Sequence, residues 1–123
     1  MNIPEDLQYT PSHEWVRTLP DGSVEIGLTD YAQKELGDLV FANLPQEGDE
    51  LAAGEPFADV ESVKAVSDIY SPVSGTVQAV HEELLDSPQL INENPYGAWF
   101  VRVANVTGTV ALMDGAAYRE HLK

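Results

Sequence analysis

Short segments rich in β-branched residues, each bounded by Gly, Pro or Asp, recur along this chain and constrain its fold more than any other feature. Such segments separated by turn signals are typical of strands in a β domain. We predict strands at Val24 to Leu28, Leu39 to Leu44, Thr76 to Val80 and Trp99 to Val103. The pattern therefore predicts a mainly β fold.

Three short helical segments are predicted among these strands. Asp30 is expected to cap the first helix and Gly37 to end it. Ser87 is expected to cap a second helix opened by Pro88, whose missing N–H costs nothing at a first helical position. The amphipathic stretch from about Val110 to Leu122 predicts a helical C-terminus.

Composition limits the partners of the chain. Its 123 residues predict a single domain. A formal charge of −15 argues against nucleic acid or anionic membrane as partners, because their phosphates would repel the chain, and favours neutral or basic protein surfaces. There are no cysteines, so thiol chemistry requires a prosthetic group. No apolar run is long enough for a membrane span, and the N-terminus lacks a signal or transit pattern, which predicts a soluble protein.

One lysine, Lys64, stands alone in a long acidic and apolar region between Lys34 and Lys123. The segments on either side, Glu55 to Val63 and Ala65 to Tyr70, predict two strands joined by a turn. The turn lacks the Gly, Asn or Asp that tight hairpins usually carry. On spacing alone Lys64 is an ordinary surface lysine, as most lysines are.

Several separated motifs together carry a family resemblance. They are Ser12 to Val16, Gly27 to Gln33, Leu36 to Val40, Val60 to Ala65 with Asp68, Ser71 to Gly75, and Ser87 to Gly97. In this order and spacing, the motifs resemble the glycine cleavage system H protein family, over nearly the whole chain. The segment around Lys64 resembles the lipoyl-attachment segment of that family. Biotin carriers are less similar, because they usually flank the lysine with methionines and this chain has Val63 and Ala65.

The resemblance implies a fold and a set of site residues. The fold is a barrel-sandwich hybrid, the flattened β-barrel of lipoyl and biotinyl domains, with short helices and a C-terminal helix. A single domain spans 1–123, with a β core at about 10–106 and a C-terminal helical segment at about 107–123. Lipoate would be amide-linked to Lys64, Glu61 and Gly75 would serve recognition by the attaching enzyme, and the loaded arm would enter a cleft lined by Ser12, Glu14 and Asp68.

The resemblance also implies a function. The chain would be a carrier rather than an enzyme, shuttling the aminomethyl group of glycine. Its partners would be the pyridoxal-phosphate glycine decarboxylase (P protein), the folate-dependent aminomethyltransferase (T protein), dihydrolipoyl dehydrogenase (L protein), and a lipoate ligase or lipoyl/octanoyl transferase. We expect a monomer in the bacterial cytoplasm, or in the mitochondrial matrix if imported. Two alternatives remain open: a relay protein that donates lipoate to other lipoyl domains, and an unmodified acidic binding module.

Overall fold

A computed structural model describes residues 1–123 and contains nine strands and four short helices. In chain order the elements are β1 Gln8–Tyr9, β2 Glu14–Thr18, β3 Val24–Leu28, α1 Asp30–Leu36, β4 Leu39–Asn43, β5 Glu50–Leu51, β6 Pro56–Ser62, β7 Val66–Tyr70, β8 Val73–Val80, α2 Glu83–Asp86, α3 Leu90–Glu93, β9 Val101–Thr109 and α4 Gly115–His121. The predicted mainly β fold with short helices and a C-terminal helix is confirmed.

The strands form two antiparallel sheets. Six strands pair in the order β1-β2-β3-β9-β8-β5, and three pair in the order β4-β6-β7. No strand pairing joins the two sheets, so the barrel-sandwich arrangement is a pair of open sheets rather than a closed barrel. The three-stranded sheet contains the hairpin of β6 and β7, whose turn carries Lys64.

Alternating side chains build the core between and within these sheets. One apolar cluster joins the three-stranded sheet to α1, α2 and α3, and includes Val60, Ile69 and Phe100. A second lies along the six-stranded sheet and includes Ile26 and Val77. The hairpin that carries Lys64 is therefore anchored by Val60 and Ile69, which are 0% and 1% exposed.

The helix boundaries correct two sequence predictions. Thr29, not Asp30, is the N-cap of α1, because its hydroxyl accepts the Ala32 N–H at 3.2 Å. Gly37 ends this helix as predicted, with a φ of 82°. Ser87 does not cap a helix at its start; it is the C-cap of α2, and α3 begins after it, at Leu90.

The C-terminal region is less helical than expected. Strand β9 continues to Thr109, so residues 107–109 belong to the six-stranded sheet rather than to a helical segment. Helix α4 begins only at Gly115, where the Asp114 carboxylate accepts the Ala117 N–H at 2.8 Å. The buried Tyr118 on α4 stacks on Tyr9 with ring centroids 4.6 Å apart, which anchors the helix to the domain. No helix has the length and apolar content required to cross a membrane.

Candidate functional site

The turn that presents Lys64 is organised by a serine rather than by a turn-forming glycine. The Ser62 hydroxyl accepts hydrogen bonds from the Lys64 N–H at 3.2 Å and the Ala65 N–H at 3.0 Å. The Ser62 N–H donates to the Ala65 carbonyl at 2.8 Å, and the Val63 N–H donates to the Asp38 carbonyl at 3.3 Å. The turn is thus held in one shape although it lacks the residues that usually favour tight hairpins.

Lys64 differs from every other Lys and Arg of the chain. Each of the other five, which are Arg17, Lys34, Arg102, Arg119 and Lys123, lies in an ion pair with a carboxylate. Lys64 has no such partner within 4.0 Å, and it is exposed. Its side chain passes beside Gly37, where an added Cβ would lie 3.5 Å from Cε and 3.8 Å from Nζ. The amine is therefore free for covalent chemistry.

Glu61 lies next to the turn on β6, the central strand of its sheet. It is opposite Phe41 on one side and Val66 on the other. Its side chain is half-buried and makes neither an ion pair nor a side-chain hydrogen bond. The structure therefore leaves this carboxylate available at the surface beside Lys64.

Gly75 lies elsewhere, on β8 of the six-stranded sheet, where it pairs with Leu51. An added Cβ would come within 2.6 Å of Val103 Cγ1 and 2.7 Å of the Ala104 carbonyl oxygen. The register of β8 against β9 shifts between Ser74 and Thr76, and Gly75 is buried at this shift. The close approach of the β8 and β9 backbones is thus a structural reason for a glycine at position 75. Gly75 and the Lys64 turn lie on different sheets, and no strand pairing brings them together.

A groove of about 200 Å³ lies between α1 and β7, and we name it the arm groove. Its lining residues are Ser12, His13, Leu28, Tyr31, Ala32, Glu35, Leu36, Ser67, Asp68 and Ile69. Gly37, which the Lys64 side chain passes, directly follows Leu36 of the lining. The groove therefore begins beside the lysine and ends at Ser12 and His13.

A second hollow of about 340 Å³ adjoins the groove at Ser12, and we name it the Glu14 hollow. Its lining residues are Thr10, Pro11, Ser12, Glu14, Gly54, Tyr70, Ser71, Pro72 and Val110. Ser12 and Asp68 thus share the arm groove, whereas Ser12 and Glu14 share the second hollow. No single cavity contains all three predicted cleft residues, and Ser12 is the residue common to both.

Glu14 is the buried carboxylate of this region, at 1% exposure. Its Oε1 accepts hydrogen bonds from the Thr10 hydroxyl at 2.5 Å and the Ser12 hydroxyl at 2.6 Å, and Oε2 faces the Tyr70 N–H at 3.4 Å. Burial raises the pKa of Glu14 above its ordinary value, although these hydrogen bonds oppose the shift. A cationic group that entered the hollow would stabilise the ionised form.

Sequence reasoning missed three polar residues of the arm groove: His13, Tyr31 and Glu35. Tyr31 and Glu35 are four residues apart on α1, and this spacing could have placed them on one helix face. The His13 ring lies 4.6 Å from the Tyr31 ring, and burial lowers the pKa of His13, with His121 acting in the same direction and Glu35 against it. His13 also has a φ of 74°, which the sequence did not signal.

Comparisons with known proteins agree over nearly the whole chain. A family model described as glycine cleavage H-protein matches residues 7–123. A glycine cleavage system H protein of Lachnoclostridium phytofermentans is 54% identical over 100% of this chain and 97% of the relative. A probable glycine cleavage system H protein of Pyrococcus horikoshii is 52% identical over 98% of this chain and 92% of the relative. The crystal structure of a glycine cleavage system H protein from Mycobacterium marinum matches with a TM-score of 0.92 at 40% identity, covering 98% of each chain.

Proposed function

Because this chain belongs to the glycine cleavage H-protein family, we propose that its Lys64 amine is the attachment point for lipoate. Family membership over the full chain makes it a lipoyl-bearing carrier of the glycine cleavage system. The observation that carries the proposal for Lys64 is its lack of an ion-pair partner, since every other Lys or Arg has one. The deprotonated Lys64 amine would attack the carbonyl carbon of a lipoyl group activated with ATP as its adenylate. The amide C–N bond would form as the bond to AMP breaks, and loss of a second proton from the nitrogen would leave the side chain uncharged.

The surroundings of Lys64 fit an attached lipoyl arm. The turn is exposed, and the Ser62 hydroxyl accepts two of its backbone N–H groups, so an attaching enzyme would meet a hydrogen-bonded turn. Glu61 beside the turn has a free carboxylate, which supports its proposed role in recognition by that enzyme. Gly75 is also proposed for recognition, although its close packing on β9 explains it without such a role.

The arm groove would hold the arm between visits to partners, with Leu28, Leu36 and Ile69 supplying apolar contact. When bound, the lipoyl group supplies a dithiolane that accepts the aminomethyl group and is later reoxidised. Asp68 in the groove and Glu14 in the adjoining hollow would stabilise the cationic amine. The Ser12 hydroxyl would stand at the junction of the two spaces.

We further propose that the chain acts as a monomeric carrier rather than an enzyme. Its partners would be the glycine decarboxylase, the aminomethyltransferase, dihydrolipoyl dehydrogenase and a lipoate ligase or lipoyl/octanoyl transferase. A tethered arm raises the effective concentration of its reactive group at each partner without new bonds. Cytoplasmic action is proposed because the relatives are proteins of bacteria and archaea.

The direct test is intact-mass measurement after incubation with lipoate, ATP and a lipoate ligase. We expect the mass to rise by one lipoyl group on the parent chain and not at all on Lys64→Arg. Lys34→Arg is the matched control, because Lys34 lies on α1, outside the Lys64 turn, and should not be modified. Peptide mapping of an adduct to Lys34 or Lys123 would contradict the proposal.

A second measurement addresses recognition and function. Glu61→Ala should lower the initial rate of lipoylation without lowering the thermal midpoint, and equal rates for variant and parent would remove Glu61 from the recognition site. The lipoylated chain should then support glycine-dependent release of carbon dioxide and ammonia with the three partner enzymes. Transfer of the lipoyl group to other lipoyl domains without this activity would instead indicate a relay protein.

A further inference from the structure

His13 holds a backbone conformation that usually selects glycine. Residues 11–13 connect β1 to β2, where the His13 N–H donates to the Thr10 carbonyl at 3.1 Å and the Thr10 N–H donates to the Glu14 carbonyl at 3.0 Å. The last residue of such a three-residue connection takes the left-handed conformation, and His13 has a φ of 74°. A residue other than glycine costs free energy there, so we expect the His13 side chain to have a role beyond the turn.

A relay of hydrogen bonds determines which ring nitrogen of His13 carries the proton. Thr29 and Tyr118 are fully buried, and their hydroxyl oxygens lie 2.8 Å apart. Thr29 Oγ1 already accepts the Ala32 N–H, so the Thr29 proton has the Tyr118 oxygen as its acceptor. The Tyr118 hydroxyl then donates to His13 Nδ1 at 2.8 Å. The neutral ring therefore carries its proton on Nε2.

This Nε2–H group is an unused donor at the end of the arm groove. Nε2 makes no hydrogen bond within the chain and is not a buried atom without a partner. The ring lines the groove beside Tyr31, and the other titratable groups around it are Glu35, Tyr118 and His121. Burial lowers the pKa of His13, and His121 adds to this effect while Glu35 opposes it. At pH 7 the ring is therefore a neutral donor.

The length of the arm groove matches an arm attached at Lys64. The Lys64 side chain passes Gly37 at one end of the groove, and the His13 ring contacts Tyr31 at the other. Tyr31 and Gly37 are six residues apart along α1 and its C-cap, or about 9 Å along the helix axis. Seven bonds join Nζ of a lipoylated lysine to the nearer lipoyl sulfur, and they also span about 9 Å when extended. The sulfur end of the arm would therefore reach the His13 ring.

We propose that His13 is a further binding residue for the arm, and that its Nε2–H donates a hydrogen bond to a sulfur of the reduced lipoyl group at the end of the arm groove. This inference rests on the proposed function, because it assumes an arm on Lys64. A hydrogen-bond donor favours the thiolate over the thiol, so it lowers the pKa of that sulfur.

The test measures thiol ionisation on the lipoylated chain after reduction with a phosphine, with lipoylation of Lys64 verified by intact mass. The chain has no cysteine, so alkylation by iodoacetamide, followed by mass over a range of pH, reports the arm alone. His13→Asn removes the ring and keeps a residue that tolerates positive φ. Its lower thiol pKa should exceed that of the parent, and its thiolate fraction at pH 7 should be at least about threefold smaller.

His81→Asn is the matched control. His81 is also half-buried and stacks on an aromatic ring, that of Trp99, at 4.6 Å, but it lies outside the arm groove. The thiol pKa of this variant should equal that of the parent. An unchanged thiol pKa in His13→Asn would overturn the proposal, as would an equal rise in His81→Asn.

Nitrogen NMR of the parent gives a result that does not depend on the folding of a variant. His13 should carry its proton on Nε2, whereas His81 should carry it on Nδ1, which donates to the Trp99 carbonyl at 2.8 Å. Reduction of the arm should shift the Nε2 signal of His13 and leave His81 in place, and a His13 signal that does not move would refute the contact. Absence of an adduct on Lys64 would refute the proposed function together with this role of His13, whereas a verified adduct with either negative result would refute the role of His13 alone.

Discussion

Replacing Gly75 by Ala should destabilise the fold by a predictable amount. The new Cβ would lie 2.7 Å from the Ala104 carbonyl oxygen, which belongs to the backbone of β9 and cannot rotate away. It would also lie 2.6 Å from Val103 Cγ1, and Val103 is fully buried at 0% exposure. The clash must therefore be relieved by separating β8 from β9 at this point.

Overpacking of this kind costs about 1–3 kcal/mol. For a chain of 123 residues the unfolding entropy is about 0.26 kcal/mol/K, so the thermal midpoint should fall by about 4–12 °C. Differential scanning calorimetry or thermal denaturation followed by circular dichroism measures this shift. Gly108→Ala is the matched control on β9, because its Cβ would meet only the Ser74 hydroxyl, at 4.0 Å.

We expect Gly108→Ala to keep the midpoint of the parent within about 2 °C. A Gly75→Ala midpoint equally close to the parent would refute the packing argument and would leave recognition as the remaining role of Gly75. Lipoylation rates measured well below both midpoints separate the two roles. A lower lipoylation rate for folded Gly75→Ala would support a role of Gly75 in recognition by the attaching enzyme. An unchanged lipoylation rate would indicate that Gly75 serves packing alone.

Two further predictions concern buried polar groups. Because burial raises the pKa of Glu14, the native chain binds that proton more tightly than the unfolded chain, and stability is lost as pH rises through the raised pKa. The unfolding free energy of the parent relative to Glu14→Gln should therefore fall with rising pH in urea titrations, and a constant or rising difference would contradict this. Tyr118→Phe should cost about 1–3 kcal/mol in the same assay, because the hydroxyl bridges His13 Nδ1 and Thr29 Oγ1, each at 2.8 Å. Tyr70→Phe, whose hydroxyl makes no hydrogen bond, should change stability by less than about 0.5 kcal/mol, and equal losses for the two variants would refute the argument.

The local pattern of the sequence was sufficient for several strands, whereas Lys64 became a candidate attachment site through the family resemblance. The strand at Val24–Leu28 was predicted to the residue, and the two strands flanking Lys64 were predicted to within one residue at each end. Alternation and turn residues are local properties, so they determine where strands begin and end. The isolation of Lys64 from other lysines was also visible in the sequence, but spacing alone does not distinguish it from an ordinary surface lysine, and its role in attachment stays a prediction.

Tertiary structure alone decided how distant segments combine. The arm groove joins α1 to β7, and the separation of Glu14 from Asp68 into adjoining spaces depends on where β2 lies relative to β7. Strand β9 continues through residues 107–109, where the family resemblance implied a helical segment, because Thr109 and Gly108 pair with Val73 and Ser74 of β8 and Thr and Gly have little helix preference. The packing role of Gly75 likewise depends on the register of β8 against β9. Register and lateral contact are set by the burial of side chains far apart in the chain, and no local pattern contains that information.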